Sequence, residues 1–386
     1  MDVVAQRFPL PLTQFYAVEA LVGQGAFSTV WKAVHRKSGQ VRAVKKIDTS
    51  ELSPREIAHE IAIMRLLRHE NVVRCYDVFL ENQYVSVVVD MFNGGDLVDG
   101  LNTHRRVYGR LREPQLARLS KQMVAAVAHV HGLKIIHRDV KGENFLADRP
   151  DIGDPAVKVA LADFGTAIRI EHGEKVHNRV GTPAFWSPEV FAGAGYNFPP
   201  DVWAVGVTTY ILATGVLPFE GEVEICTPEG ERKEGWLPKL YSAKCLKFIC
   251  DCLQKDAAKR PNAQMALAHE FVTDIPVEDS KTARPYIGDD GEEAPSNTSA
   301  ADCLLAAMGG LVQLLCNALG NCMDTLCDQN QVEAAAARWT SKATSKASTT
   351  GSLPGADKEM IERQTTDLTK QISVNLFEHQ ASTRKR

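Results

Sequence analysis

Two glycines placed between strands constrain this chain most. Ala20-Leu21-Val22 reads as the end of one strand, Gly23-Gln24-Gly25-Ala26-Phe27-Ser28 as a turn, and Thr29-Val30-Trp31-Lys32-Ala33-Val34 as the returning strand. In a dinucleotide-binding fold a helix would follow the glycines; here a strand does, which argues against that fold. Two readings remain. Without Cβ atoms in the way, the turn's N–H groups can approach phosphate oxygens, or the turn is a plain hairpin loop. The pattern G-x-G-x-x-S alone does not separate them.

The next strand, Val41-Arg42-Ala43-Val44-Lys45, ends on an amine that can reach the same phosphates, while Lys46 faces the opposite side and is solvated. A helix follows with its start fully signed: Ser53 as N-cap, Pro54 at the first helical position, Glu56 three after the cap, and Ile57, Ile61, Met64 and Leu67 at helical spacing. Glu60 on this helix is either a solvated charge or the anion that holds Lys45 in place.

Further on, Tyr84 to Val89 reads as a strand that breaks into Asp90-Met91-Phe92-Asn93-Gly94-Gly95-Asp96, a connector between two halves. An apolar helix over 113–132 then delivers the chain to Ile136-His137-Arg138-Asp139-Val140-Lys141-Gly142-Glu143-Asn144. Taken alone this is a polar surface turn. Its side chains also suit a chemistry: Asp139 to accept a proton from a hydroxyl, Lys141 to neutralise a transferring phosphoryl group, Asn144 to hold a divalent cation. The strand Val157 to Leu161 feeds Asp163-Phe164-Gly165, a second metal-ligand candidate, and Gly181 to Glu189 closes a loop before a buried helix beginning near Asp201.

With 386 residues, 44% hydrophobic and 24% charged, there is material for two lobes and a sizeable core. A net charge of −4 gives no basic field, which argues against nucleic acid as a partner. The nine cysteines are odd in number and show no paired C-x-x-C framework, as expected in a reducing compartment. Met1 to Leu12 carries neither a secretory signal nor a myristoylation start, so a cytoplasmic location is expected.

Five ordered motifs at compatible distances are far more specific than any one of them. From Phe15 to Val272 the chain resembles a eukaryotic serine/threonine protein kinase. It is similar to the calmodulin-dependent kinase group, and Gly-Gly-Asp-Leu and Gly-Thr-Pro-Ala-Phe-Trp-Ser-Pro-Glu are also similar to calmodulin-kinase kinases and liver kinase B. The resemblance implies an α+β, bilobal protein-kinase fold over 15–273, with a small β-rich N-lobe and a larger helical C-lobe. It implies ATP and Mg²⁺ as cofactors and protein substrates. Leu21 to Val30 would cover the nucleotide: Leu21, Val22, Gly23, Gln24, Gly25, Ala26, Phe27, Ser28, Thr29 and Val30. Ala43 and Leu146 would complete the adenine sandwich, Val89 would be a small gatekeeper before the hinge residues Asp90 to Phe92, and Asp96 would reach the ribose. Lys45 paired with Glu60 would contact the phosphates, Asn144 and Asp163 would bind Mg²⁺, and Asp139 would be the base, assisted by Lys141. Met64, His137 and Phe164 would join the lobes, Thr182 would floor the acceptor pocket, and Arg260 would pair with Glu189. Glu143 with Asp96 would favour a basic residue before the acceptor.

Ser187 and Gly142 depart from the family's usual alanine and proline, and neither change removes a catalytic group. More telling, residues 167–181 contain no Ser, Thr or Tyr. A phosphate that would dock on Arg138 has no attachment point there, so either Glu171 or Glu174 is expected to meet Arg138 or a partner protein orders the loop. A scaffold that binds partners through the fold is the alternative function; the presence of Lys45, Glu60, Asp139, Asn144 and Asp163 argues against it, and the Gly181 to Glu189 segment argues against a small-molecule phosphotransferase.

Residues 1–14 read as an N-terminal extension and 274–301 as an acidic linker. The segment 302–328 reads as an amphipathic helix with Leu304, Met308, Leu311, Leu315, Leu319, Cys322 and Leu326 on one stripe and no Lys or Arg, unlike a calmodulin target. It either docks on the kinase or a regulatory partner, or lies on a membrane surface with cysteines Cys303 to Cys327 acylated. The polar, Ser/Thr-rich stretch 329–386 is expected to be largely disordered.

Overall fold

The computed structural model describes residues 11–24, 28–50, 53–81, 84–171, 173–219 and 237–275. The expectations for Gly25 to Phe27 and for 276–386 therefore lie outside the described residues.

The first half is an antiparallel sheet of five strands, β1 (Tyr16–Gln24), β2 (Ser28–His35), β3 (Val41–Asp48), β4 (Cys75–Glu81) and β5 (Tyr84–Val89), in the order β1-β2-β3-β5-β4. The hairpin register runs from Tyr16 opposite His35 to Gln24 opposite Thr29, with irregularities on either side of Leu21. On central β3, alternation sends Val44 to one face of the sheet and Lys45 to the other, where Lys45 lies opposite Val30 of β2 and Val87 of β5. A short helix α1 (Leu12–Phe15) precedes β1, and its Leu12 is 1% exposed, packed with Tyr16, Ala33, Val44, Phe79 and Val88. Leu12, within the stretch read as an N-terminal extension, is thus packed on the outer face of the sheet, where burying a leucine stabilises by about 1.5–3 kcal/mol.

Helix α2 (Pro54–Leu66) packs on the other face. Its capping box forms as the sequence specifies: Glu56 N–H donates to Ser53 Oγ at 3.2 Å and Ser53 N–H donates to Glu56 Oε2 at 2.9 Å. Ile57, Ile61 and Met64 face inward, and so does Glu60.

The second half is helical: α3 (Leu97–Tyr108), α4 (Glu113–Gly132), α5 (Pro188–Ala192), α6 (Pro199–Thr214), α7 (Ala243–Cys252), α8 (Ala263–Leu267) and α9 (Glu270–Thr273). Helix α6 is buried almost all round, as expected of its apolar sequence, and lies against α4 and α7. One apolar core runs from Ile61 and Met64 through Leu116, Met123 and Phe164 to Trp203 and Phe248. The two-lobed α+β plan is as expected. Among the described residues no helix is long and apolar enough to cross a membrane, and Cys75, Cys245 and Cys252 are buried free thiols.

Candidate active site

Two small ladders bring the polar loops together. β6 (Ile135–Ile136) pairs with β9 (Ile168–Arg169), and β7 (Phe145–Ala147) pairs with β8 (Val159–Leu161), so residues 137–144 lie beside 162–167. The backbone is strained at both functional turns: Arg138 has φ 68° and Asp163 φ 59°, conformations that cost a non-glycine residue about 1–3 kcal/mol. Asp201 at the start of α6 offsets this at Arg138. It is 1% exposed, and its Oδ1 accepts from Arg138 N–H at 2.9 Å while Oδ2 accepts from His137 N–H at 2.8 Å and lies 2.8 Å from His131 Nε2. Burial disfavours the Asp201 charge, yet these His131 and His137 contacts hold its pKa below the usual carboxylate range. Sequence reasoning placed Asp201 only at the start of a buried helix. The available signal was an acid in the first turn of an otherwise apolar helix.

Asp139 stands at the focus. Its Oδ1 accepts from the Thr182 N–H at 2.8 Å and the Thr182 hydroxyl at 2.7 Å, and its Oδ2 accepts from Asn144 Nδ2 at 3.1 Å and lies 3.1 Å from Lys141 Nζ. Lys141 Nζ also donates to Thr182 Oγ1 at 2.7 Å. A hydroxyl is therefore held between a carboxylate and an ammonium. Gly181 permits the close approach: with φ +86°, a Cβ there would sit 2.2 Å from the Arg138 carbonyl oxygen.

Lys45 Nζ donates to Glu60 Oε1 at 2.8 Å and lies 3.5 Å from Asp163 Oδ1. Burial works against the ammonium, but the Glu60 and Asp163 charges more than offset it and raise the Lys45 pKa. The Asp163 carboxylate is 57% exposed, so the loss of hydration that opposes its charge is small, and Lys45, His137 and the Gly165 N–H lower its pKa. His137 meets Phe164 edge-on at 4.9 Å and lies 3.1 Å through Nε2 from the Ala162 carbonyl, joining the two loops. Asn144 uses Nδ2 on the Asp139 carbonyl at 2.7 Å, which leaves its amide oxygen available as a ligand. One carboxylate and one amide oxygen, completed by phosphate oxygens, is a donor set that suits Mg²⁺. Among the described residues no cluster of three His, Cys, Asp or Glu offers a metal site.

Among the residues expected to hold a nucleotide, Ala43 is buried opposite Val89, and Val30 lies opposite Gly23 on one strand and Lys45 on the other. Leu146 is bridged to the Asp96 backbone, and Leu21 and Val22 are exposed on β1. Asp90 turns its carboxylate to Tyr76 (2.7 Å) and the Arg74 N–H (3.1 Å), and its own N–H donates to the Arg74 carbonyl at 3.2 Å. Asp96 caps α3, its Oδ1 accepting from the N–H groups of Val98 and Asp99 at 2.9 Å each; burial raises its pKa, and Glu143 adds to the rise.

The expectation that Glu171 or Glu174 meets Arg138 is corrected. Glu171 pairs with Lys134 at 2.9 Å, and Glu174 accepts from the Glu171 N–H at 2.7 Å, so each is taken by a nearer partner. Arg138 instead donates through Nε to the Thr166 carbonyl at 2.6 Å, and its Nη1 is buried without a partner. The expected Arg260–Glu189 pair forms with two bonds, at 2.6 and 3.1 Å. Phe185, Trp186, Val190, Tyr196, Pro200 and Ala204 line a shallow, largely apolar recess next to Asp139 and Thr182.

Residues 16–272 match the protein kinase domain family. The chain is 34% identical over 221 residues to the serine/threonine-protein kinase SIK3 homolog of Danio rerio, covering 56% of this chain and 18% of that protein. It is 30% identical over 290 residues to a probable myosin light chain kinase of Dictyostelium discoideum, covering 74% and 90%. Against the calcium/calmodulin-dependent protein kinase type II of Caenorhabditis elegans it is 38% identical over 210 residues, 54% of this chain and 28% of that protein. It thus spans less than two thirds of the first and third of these relatives. The glycine turn, the Lys45–Glu60 pair, the loop around Asp139 and the matched span of sequence lead to one conclusion: this chain belongs to the protein kinase family.

Proposed function

We propose that this chain is a serine/threonine protein kinase that transfers the γ-phosphate of ATP to Ser or Thr hydroxyls of protein substrates. The carrying observation is the hydroxyl of Thr182 held between Asp139 (2.7 Å) and Lys141 (2.7 Å). It marks a place where a carboxylate orients and deprotonates an attacking hydroxyl while an ammonium neutralises the charge that develops on the phosphoryl group. Lys45, fixed by Glu60, steadies the nucleotide phosphates from the opposite lobe. Asn144 and Asp163 would hold Mg²⁺, which would supply positive charge against the phosphates. The spacing of Lys141 two after Asp139 supports hydroxyls of Ser and Thr over Tyr.

A scaffold without catalysis is the alternative, and the completeness of this set of residues weighs against it. Asp139→Asn should leave nucleotide affinity unchanged and lower phosphate transfer by about 10²–10⁴-fold, the range for removal of a general base. Transfer at the wild-type rate would refute the assignment.

The same proposal extends to a signalling enzyme of the cytoplasm. Glu143 near Asp96 supports a preference for Arg or Lys before the acceptor, readable in a peptide library. For residues 302–328 the proposal is a helix that docks a regulatory partner or, with acylated cysteines, a membrane surface; fractionation before and after hydroxylamine treatment separates the two.

A further inference from the structure

The turn that delivers Thr182 to Asp139 begins at Val180 and ends at Trp186, and the indole of Trp186 closes it. Nε1 donates to the Val180 carbonyl at 2.8 Å, and the ring meets Phe191 edge-on at 5.4 Å and 68°. Inside the turn, Gly181 lies against the Arg138 carbonyl, and the N–H and hydroxyl of Thr182 both end on Asp139 Oδ1. The indole bond therefore sits directly behind the hydroxyl array.

Upstream, the segment is held by the same downstream stretch. Val176 and Tyr196 exchange two backbone hydrogen bonds, at 2.8 and 2.9 Å; the Tyr196 hydroxyl donates to the Asn178 carbonyl at 2.6 Å; and Arg179 donates to the Phe191 carbonyl. Gly195 permits the crossing, because a Cβ there would fall 2.5 Å from the His177 ring. Every tie is made by residues the chain carries, in a stretch, 167–181, that has no hydroxyl to bear a phosphate.

We propose that Trp186 is a positioning residue for phosphate transfer, its indole N–H fixing the Val180–Gly181 peptide so that Thr182 stays on Asp139 without phosphorylation of the segment. The inference rests on the kinase reading above. When the Val180 carbonyl loses its donor, the peptide before Gly181 gains freedom to rotate, and a glycine at φ +86° follows at little cost. Thr182 then leaves Asp139 for part of the time. Lys45, Glu60 and Asp163 lie on other elements, so the nucleotide side is undisturbed.

The test compares wild type, Trp186→Phe and Trp186→His in full-length chains with a Ser/Thr peptide and Mg-ATP. Trp186→Phe keeps an aromatic ring against Phe191 and removes the donor. One such hydrogen bond corresponds to about a 5-fold shift in population, so kcat should fall about 5-fold while KM for ATP stays unchanged. Trp186→His, which keeps a ring donor, should be more active than Trp186→Phe, and phosphatase-treated wild type should keep its kcat. Equal kcat in wild type and Trp186→Phe overturns the role of Trp186 alone. Loss of ATP binding in step with kcat, or Trp186→His no better than Trp186→Phe, overturns it too by assigning the tryptophan a general structural role. Loss of activity on phosphatase treatment, with the lost phosphate mapped to residues 166–182, overturns the phosphate-free positioning. An inactive wild type overturns the kinase reading and this inference with it.

Discussion

Replacing Arg260 by alanine should be among the most damaging single changes remote from the chemistry. The guanidinium side chain is 0% exposed; it binds Glu189 twice, donates twice to the Gln254 carbonyl at 3.0 and 2.9 Å, and lies 5.1 Å from the Trp203 ring centre. Its removal leaves the Glu189 carboxylate, 14% exposed, without a counter-charge. Breaking a buried pair from one side costs about 3–5 kcal/mol. For a domain of this size each kcal/mol lowers the melting temperature by about 2–4 °C, and the lower figure applies to the longest chains, so the expected drop is about 6–10 °C. Calorimetry on wild type, Arg260→Ala and the double variant Arg260→Met/Glu189→Leu separates the causes. Because two apolar side chains restore packing and leave no orphaned charge, the double variant should recover most of the loss. A drop of less than about 2 °C in the single variant, read against the same scale, or a double variant as unstable as the single one, would refute the reasoning.

Two further outcomes follow from buried and half-buried polar groups. The Ser187 hydroxyl is fully buried with no partner, so Ser187→Ala should raise stability by about 1 kcal/mol in urea unfolding; a lower midpoint would mean that the hydroxyl is bonded after all. His69 and His129 stack at 5.0 Å, and each accepts a backbone N–H, His69 Nδ1 from Asn71 at 3.0 Å and His129 Nε2 from Arg68 at 3.2 Å. Protonation at these nitrogens breaks those bonds. Burial lowers both pKa values in the fold, so between the folded values and the unfolded value near 6.5 the unfolded chain binds more protons. Stability should then be steady above about pH 7 and fall as the pH drops through about 6.5 toward the folded values, a slope that His69→Gln/His129→Gln flattens in unfolding midpoints; an unchanged slope would remove this pair as its source.

What could be read from the residue order differs in kind from what could not. The capping box at Ser53, the apolar helix 113–132 and the strand carrying Lys45 are local patterns, each fixed by propensity and periodicity within about a dozen residues; the first two formed as expected, and the strand formed but runs three residues past Lys45 to Asp48. The Lys45–Glu60 and Arg260–Glu189 pairs were also foreseen, because a buried cation requires an anion and the family order says which. What failed was the partner of Arg138. A missing phosphate acceptor in 167–181 is visible in sequence, but which group takes its place depends on competition among neighbours, and Lys134 holds Glu171 at 2.9 Å before Arg138 can. Asp201 escaped for a related reason. Its work is to receive two backbone N–H groups from a loop more than sixty residues earlier, and a backbone donor leaves no mark on the sequence that supplies it. Trp186 belongs to the same class: its acceptor is a carbonyl, which every residue has, so only the fold reveals that this tryptophan, six residues on, closes the turn that carries Thr182 to Asp139. Side-chain pairs can thus be nominated from residue types alone, whereas side-chain to backbone ties, which set the geometry around Asp139, become legible only when the chain is folded.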